Sequence, residues 1–253
     1  MKKILFVAIL TFTLNIYAQE AVFQAGEFFK FKIHYGFFNA GYATLDLKKS
    51  TFKNKNLFHA TGKGWTTGIS SWFMDVDDLY ESYFDTQAKP YKFIRKVDEG
   101  GYTMNRELHF NHQKHQVLVN DYKKNSQKYF NTGKKIFDML SAFYYLRNID
   151  TSKLKKGDEI KVNMFLDNEI YPFRLKFLGK DITKTKLGKI HSLKFRPFVQ
   201  SGRIFKEDES LTVWISDDQN KMPLLIKAKL MVGSLKASLM EYRGLKYDVN
   251  FKG

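Results

Sequence analysis

The chain reads as an all-β protein, an antiparallel, strongly curled sheet or a barrel- or sandwich-like arrangement, with one packed α-helix near its middle. Three observations predict this. Apolar and polar residues alternate with period two through most of the length. Clusters of Gly, Asn and Asp separate the alternating runs at short intervals. The 24 Phe, 14 Tyr and 3 Trp reach 16% of 253 residues, a composition suited to strands around a ring-lined core. A hydrophobic share of 43% against 27% charged residues excludes a disordered polar chain. Zero cysteines exclude a disulfide scaffold, a thiolate metal site and a cysteine nucleophile.

The elements follow in order. Met1-Lys2-Lys3, an apolar run over 4–14 and Ala18 predict a signal peptide over 1–18, cleaved after Ala18. That run is too short to cross about 30 Å of hydrocarbon. Losing Lys2 and Lys3 lowers the net charge from +16 to +14, and the remaining 19–253 is one exported β-domain. In 28–35, Phe29, Phe31, Ile33 and Tyr35 share one face while Lys30, Lys32 and His34 share the other, which is a half-buried strand. Gly36 to Gly41 turns the chain, and Ala43, Leu45 and Leu47 continue the period. Further strands are predicted at 56–65, 72–85, 91–98, 102–110 and 116–122.

The period then changes. Ile136, Met139, Leu140, Phe143 and Arg147 fall at helical spacing, which predicts a helix over 135–147 starting near Thr132 or Gly133. A lone helix among strands must bury its stripe, Leu140 and Phe143 included, against the sheet. The polar stretch 148–157 reads as a linker between two possible lobes, 19–131 and 158–253. Strands resume at 159–166, 171–178, 182–187, 190–198, 211–216, 222–232 and 235–247.

The order of motifs resembles that of the bacterial exported domain-of-unknown-function family 3108. The matching pieces are Gly26-Glu27-Phe28, Ile33-His34-Tyr35-Gly36, Ala40-Gly41-Tyr42-Ala43, Asp77-Asp78-Leu79-Tyr80-Glu81-Ser82 and Glu99-Gly100-Gly101-Tyr102. The helix carries Asp138 to Arg147, and the second half Gly157-Asp158, Thr185-Lys186-Leu187-Gly188, Gly202-Arg203-Ile204-Phe205 and Trp214 to Asp218. The resemblance implies a mostly antiparallel β-protein of the bacterial envelope. It implies no activity and no catalytic residues.

Candidate chemistry is sparse. His109, His112 and His115 are spaced by three, which on a strand points the middle one away from its neighbours, and the segment reads as a hairpin tip rather than a metal site. Asp75, Asp77, Asp78 and Glu81 lack the glycine of a calcium loop, and Asp217-Asp218 reads as a β-turn. Ser70-Ser71 and Ser201-Gly202 have no nucleophile elbow, and Gly62-Lys63-Gly64 lacks the rest of a P-loop. No catalytic residue, metal or cofactor is therefore expected, and the protein reads as a non-enzyme.

Two features point to binding. Trp65, Trp72, Phe73 and Met74 surround a Gly/Ser/Thr connection that reads first as a hairpin whose rings fold into the core; with Tyr102 they are also the candidate ligand-binding residues, suited to capping an apolar cavity or touching a membrane. Lysines at 123–124, 134–135, 153–156 and 180–189 favour anionic surfaces, and an exported chain does not meet nucleic acid. The expected function is binding of an apolar or lipid-like envelope ligand within the curled sheet. The alternatives are an accessory protein that binds a protein partner and, third, an envelope hydrolase. Peripheral contact with an anionic membrane surface is a further expectation.

Overall fold

The computed structural model describes residues 20–68, 70–73, 75–198 and 210–252. The signal-peptide segment, Ser201-Gly202 and the 202–205 motif lie outside the described residues. The first strands are β1 (Phe28–Tyr35), β2 (Phe38–Phe52) and β3 (Lys55–Thr66), followed by the short α1 (Ser70–Phe73). Next come β4 (Asp77–Phe84), β5 (Pro90–Glu99), β6 (Tyr102–Asn111), β7 (Gln116–Asp121) and β8 (Ser126–Asn131). The longer helix α2 (Met139–Arg147) precedes β9 (Glu159–Leu166), β10 (Glu169–Thr185) and β11 (Gly188–Phe198). The last strands are β12 (Leu211–Ser216), β13 (Pro223–Lys229) and β14 (Ser234–Arg243). The fourteen strands among the described residues form one antiparallel sheet in the order β8-β7-β6-β5-β4-β3-β2-β1-β14-β13-β12-β11-β10-β9. Because β1 pairs with β14, the strands before and after α2 belong to a single sheet.

The sheet curls but does not close: β8 and β9 are its two ends and do not pair. Helix α2 fills the hollow. Tyr144 is fully buried, with Phe23 and Phe84 rings packed on it at centroid distances of 4.8 and 4.9 Å. Leu140 and Phe143 pack against the same cluster and are half-buried. The helix therefore buries most completely Ser141, Ala142, Tyr144 and Arg147, two of them polar, rather than the Leu140–Phe143 stripe. No helix among the described residues is long and apolar enough to cross a membrane.

Several boundaries differ from expectation for physical reasons. The helix begins at Met139, not at 135. Phe137 is extended and bridges β9 in parallel, its N–H donating to the Asn163 carbonyl at 3.0 Å and its carbonyl accepting from the Phe165 N–H at 2.8 Å. Asp138 then caps the helix in a capping box with Ser141. The run expected as a strand over 72–85 starts as α1, because Gly68 turns the chain at φ +62° and accepts from the Ser71 N–H and hydroxyl. The expected strands 171–178 and 182–187 are one strand, β10, with a bulge at Phe177/Gly179 where Gly179 adopts φ +119°. Strand β8 was not legible because Ser126-Gln127-Lys128 breaks the alternation.

A buried ion pair ties the chain together. Glu27, just before β1, and Arg147, the last residue of α2, are both buried. Arg147 Nη1 donates to Glu27 Oε1, Nη2 donates to Oε2 at 2.8 Å, and Nε donates to the Asn220 carbonyl at 2.9 Å. Phe29, Phe143 and Tyr144 surround the guanidinium at 5.5 Å from each ring centroid. Beside this pair the chain crosses itself: a Cβ on Gly244 would lie 2.1 Å from the Gly26 carbonyl oxygen, so only glycine fits there.

Arg147→Ala leaves the Glu27 carboxylate buried and uncompensated, so it is expected to cost about 3–5 kcal/mol. The paired replacement Glu27→Leu with Arg147→Met is expected to recover most of that loss. Denaturant midpoints of the three variants check this, and a small effect of Arg147→Ala alone would show that the pair does not hold the fold.

Candidate functional site

Polar residues on the inner face of the sheet mark two places for scrutiny. The first is a row that crosses four strands. Tyr80 on β4 lies opposite Arg95 on β5, Arg95 opposite Arg106 on β6, and Arg106 opposite Asp121 at the end of β7. The next row on that face is apolar: Phe93 opposite Leu108, and Leu108 opposite Val119. Two arginines directly opposite each other repel. They are reconciled by carboxylates on either side. Arg106 Nε donates to Asp121 Oδ2 at 2.9 Å, and Arg95 Nη1 donates to Asp167 Oδ1 at 2.8 Å. Asp167 sits in the β9–β10 turn, with Arg106 Nη1 3.8 Å from the same oxygen.

This is the seam where the last curl of the sheet lands on β5 and β6. Phe93, Leu108, Phe165 and Leu166 floor a cleft whose walls are Arg95, Arg106, Asp167 and Asn168. It opens to solvent and encloses little more than the space of a water molecule. Burial opposes the charge on Asp121, but the hydrogen bonds from Arg106 and the Lys124 N–H, with the charges of both residues, together outweigh it and hold the carboxyl below the usual range. Burial likewise opposes the charge on Arg95, and Tyr80 and Asp167 reverse the effect and raise its pKa. Burial, with Asp78 next to it, pushes Glu99 up. Both arginines stand over an apolar floor, facing a carboxylate whose side chain is 56% exposed.

The second place is Asp138. It is fully buried, accepts from the Ser82 hydroxyl at 2.7 Å and from the Ser141 N–H at 2.8 Å, and so fastens the start of α2 to β4. A carboxylate beside a serine hydroxyl has the makings of a nucleophile, yet both groups are wholly enclosed and no substrate reaches them. Burial raises Asp138 to about 6, against the pull of Ser141 and Ser82 toward the anion.

The other candidates scatter. His109 Nε2 meets Glu107 at 2.6 Å, His112 Nε2 meets the Pro90 carbonyl at 2.5 Å, and His115 turns the chain at φ +51°. Asp75 accepts from Thr66, Asp78 from the Asp98 N–H, and Glu81 faces His59. Asp218 accepts from the N–H groups of Asn220 and Lys221, which makes 217–221 the turn that its composition indicated. Among the candidate ligand-binding residues, Trp65 lies in β3 against Tyr42, with ring centroids 6.1 Å apart. Tyr102 starts β6 at an exposed hairpin tip, several strands from Trp65. The side chains of Trp72 and Phe73, and the whole of Met74, lie outside the described residues.

Arg95, Arg106, Asp121 and Asp167 were missed from sequence. A signal existed for the arginines: each occupies an apolar phase of its strand, Arg95 between Phe93 and Val97, Arg106 between Met104 and Leu108. A charge in an inward position needs a partner.

The family model described as "Protein of unknown function (DUF3108)" matches residues 30–240. No curated protein matches the chain. Among solved structures, a β-barrel-like protein of domain of unknown function DUF1849 from Brucella abortus is similar at a TM-score of 0.60 and 9% identity, covering 90% of this chain and 100% of that one. A DUF1089 family protein from Pseudomonas aeruginosa matches at a TM-score of 0.39 and 10% identity, covering 83% and 92%. The first likeness shows the fold and nothing about chemistry.

Asp138 gives a pH signature. Its pKa rises from 3.8 to about 6 on folding, so the folded state holds the proton more tightly than the unfolded chain. Its contribution is complete below the unfolded value and is lost as pH rises through about 6, a change of roughly 3 kcal/mol. Asp138→Asn keeps the cap acceptor and cannot ionise. Between about pH 4 and pH 7 the wild-type protein is therefore expected to lose stability relative to Asp138→Asn. Parallel denaturation curves for the two proteins would contradict this.

Proposed function

The chain belongs to the DUF3108 family of proteins of unknown function, and from that premise we propose that it is a non-enzymatic binding protein of the bacterial envelope that takes an anionic, lipid-like amphiphile at the seam of its curled sheet. One observation carries this reading: Arg95 and Arg106, opposed across neighbouring strands, stand over Phe93, Leu108 and Phe165 and are met by the half-exposed Asp167. An apolar floor with two converging cations suits a carboxylate or phosphate joined to hydrocarbon. Asp167 holds the place of such a head group, and a ligand anion that displaces it leaves the charge balance unchanged. The cleft itself has room for little more than a water molecule, so a head group engages the arginines only by displacing Asp167, and its hydrocarbon chain requires the β9–β10 hairpin to lift. The signal-peptide-like N-terminus and the absence of cysteine support an exported location.

A second reading, an accessory protein that binds a protein partner, draws support from β8. This strand ends the sheet, no strand pairs with its outer edge among the described residues, and Tyr129 on it is exposed. An open edge accepts a partner's strand.

Titration with dansyl-undecanoic acid tests the seam. The wild-type protein is expected to bind it and to bind the methyl ester more weakly. Arg95→Gln with Arg106→Gln is expected to reduce affinity roughly tenfold or more, since bonds to a charged group contribute about 1.5–3 kcal/mol. Asp167→Asn, which removes the internal competitor, is expected to increase it. Equal affinity in all three proteins would send the reading elsewhere.

A further inference from the structure

A different part of the molecule exposes large apolar side chains beside a concentration of lysines. The β1–β2 and β13–β14 hairpin tips lie side by side, joined by the Tyr35 hydroxyl donating to the Val232 carbonyl at 2.8 Å and the Gly36 N–H donating to the Ser234 carbonyl at 3.0 Å. Together they present Phe37, fully exposed, Phe38 at 75% exposure, Met231 and Val232. No apolar neighbour shields the Phe37 ring, and placing such a ring in water gains nothing for a fold.

The strands that carry these tips are short of acids. The sequence holds none between Glu27 and Asp46 and none between Asp218 and Glu241, while these stretches contain Lys30, Lys32, Lys221, Lys227, Lys229 and Lys236. The register aligns several of them. His34 on β1 lies opposite Lys236 on β14, and Lys236 lies opposite Lys227 on β13. Lys227 and Lys236 are exposed. Like charges directly opposite each other destabilise a sheet, and among the described residues the register puts no carboxylate in this row, Asp181 on β10 being the acid that feels the Lys227 charge. The row through Lys32 runs across Tyr42 and Trp65 and meets its first acid only at Asp77 on β4. Burial and the two lysines, Lys32 and Lys236, push the His34 imidazole below its ordinary value, consistent with a positive local potential.

We infer that the paired hairpin tips at Phe37–Phe38 and Met231–Val232 insert into an anionic bilayer surface, with Lys32, Lys227, Lys229 and Lys236 on the lipid phosphates. Exposed apolar side chains supply the inserted part, and the lysine rows supply attraction to anionic head groups. An anionic lipid surface fits both halves of the patch, because an acidic protein would answer the lysines but leave fully exposed Phe37 without a hydrocarbon phase. The inference does not depend on the seam ligand.

Flotation of the protein with vesicles of phosphatidylglycerol mixed with phosphatidylcholine is the test. The wild-type protein is expected to float with these vesicles, to stay behind with pure phosphatidylcholine, and to release as salt is raised. Phe37→Ser with Phe38→Ser, and separately Lys227→Glu with Lys236→Glu, are each expected to reduce the bound fraction roughly tenfold. Lys155→Glu with Lys156→Glu makes the same change in net charge in the 148–157 connection, and is expected to leave binding within about twofold. Phe37→Ser alone changes a side chain that touches no core, so it reads binding without a question of folding. Failure of the wild-type protein to bind anionic vesicles, or equal losses in the tip and control variants, would overturn the assignment. Dansyl-undecanoic acid binding by the tip variants is expected to match wild type, which separates a failure here from a failure at the seam.

Discussion

The guanidinium of Arg147 is the point on which the architecture turns. A meander of fourteen described strands has no intrinsic reason to wrap around a helix, since each strand but the terminal β8 and β9 is satisfied by its two neighbours. Arg147 supplies that reason by bonding at once to Glu27, which leads into β1, and to the Asn220 carbonyl in the β12–β13 turn. Asn220 in turn donates to the carbonyls of Tyr247 and Asp248 and accepts from the Tyr247 N–H, so the C-terminal segment is held as well. Burying two charges costs several kcal/mol each, and only complete hydrogen bonding offsets it. Here Nε, Nη1 and Nη2 each donate a bond, and three rings lie around the guanidinium. A hydrophobic pair of equal volume would give comparable stability without dictating the angle at which helix, strand and turn meet.

The same side-chain chemistry has a different outcome at the seam. Arg147 has a buried, bidentate partner and nothing to exchange it for. Arg95 and Arg106 share Asp167, a carboxylate on a turn with more than half of its side chain in solvent. An exposed ion pair is worth little, typically under about 1 kcal/mol, so an outside anion competes with Asp167 on nearly equal terms. What distinguishes Arg147 from Arg95 and Arg106 is therefore the exchangeability of the partner, not the residue type.

Most of the fold was legible because period-two alternation records which face is buried. The eight-residue first strand, the hairpins at 99–102 and 112–115 and the turn at 217–221 appeared where composition placed them. Legibility failed where tertiary context decided. Residues 135–137 have helical spacing, but Phe137 finds a backbone partner in β9 and the helix waits for the Asp138 cap. Strand β8 is polar because it is an edge with little to bury. The site was harder still. Pattern reading treats Asp138, Arg147, Arg95 and Arg106 as polar residues near apolar ones, and which carboxylate each arginine meets depends on how β9–β10 returns to β5–β6, a contact spanning 72 residues for Arg95 and Asp167. Composition did register the lysine excess, but not that Lys227 and Lys236 would stand opposite each other.

A nine-residue helix is too short to persist alone in water, so α2 forms only as it docks, and its docking is what fills the hollow. Both of its ends are fastened, Asp138 to Ser82 on β4 and Arg147 to Glu27 and Asn220. A ligand entering along the axis of the curl would have to break one of these fastenings and expose a buried charge. The seam imposes no such condition. There the curl meets β5 and β6 through side chains, Asp167 with Arg95 and Arg106, and Phe165 beside Phe93 and Leu108, and no strand ladder joins the two ends of the sheet. Contacts without a backbone ladder open at lower free energy than those with one. The fold thus leaves a closure without a backbone ladder where a charged, apolar-floored cleft lies.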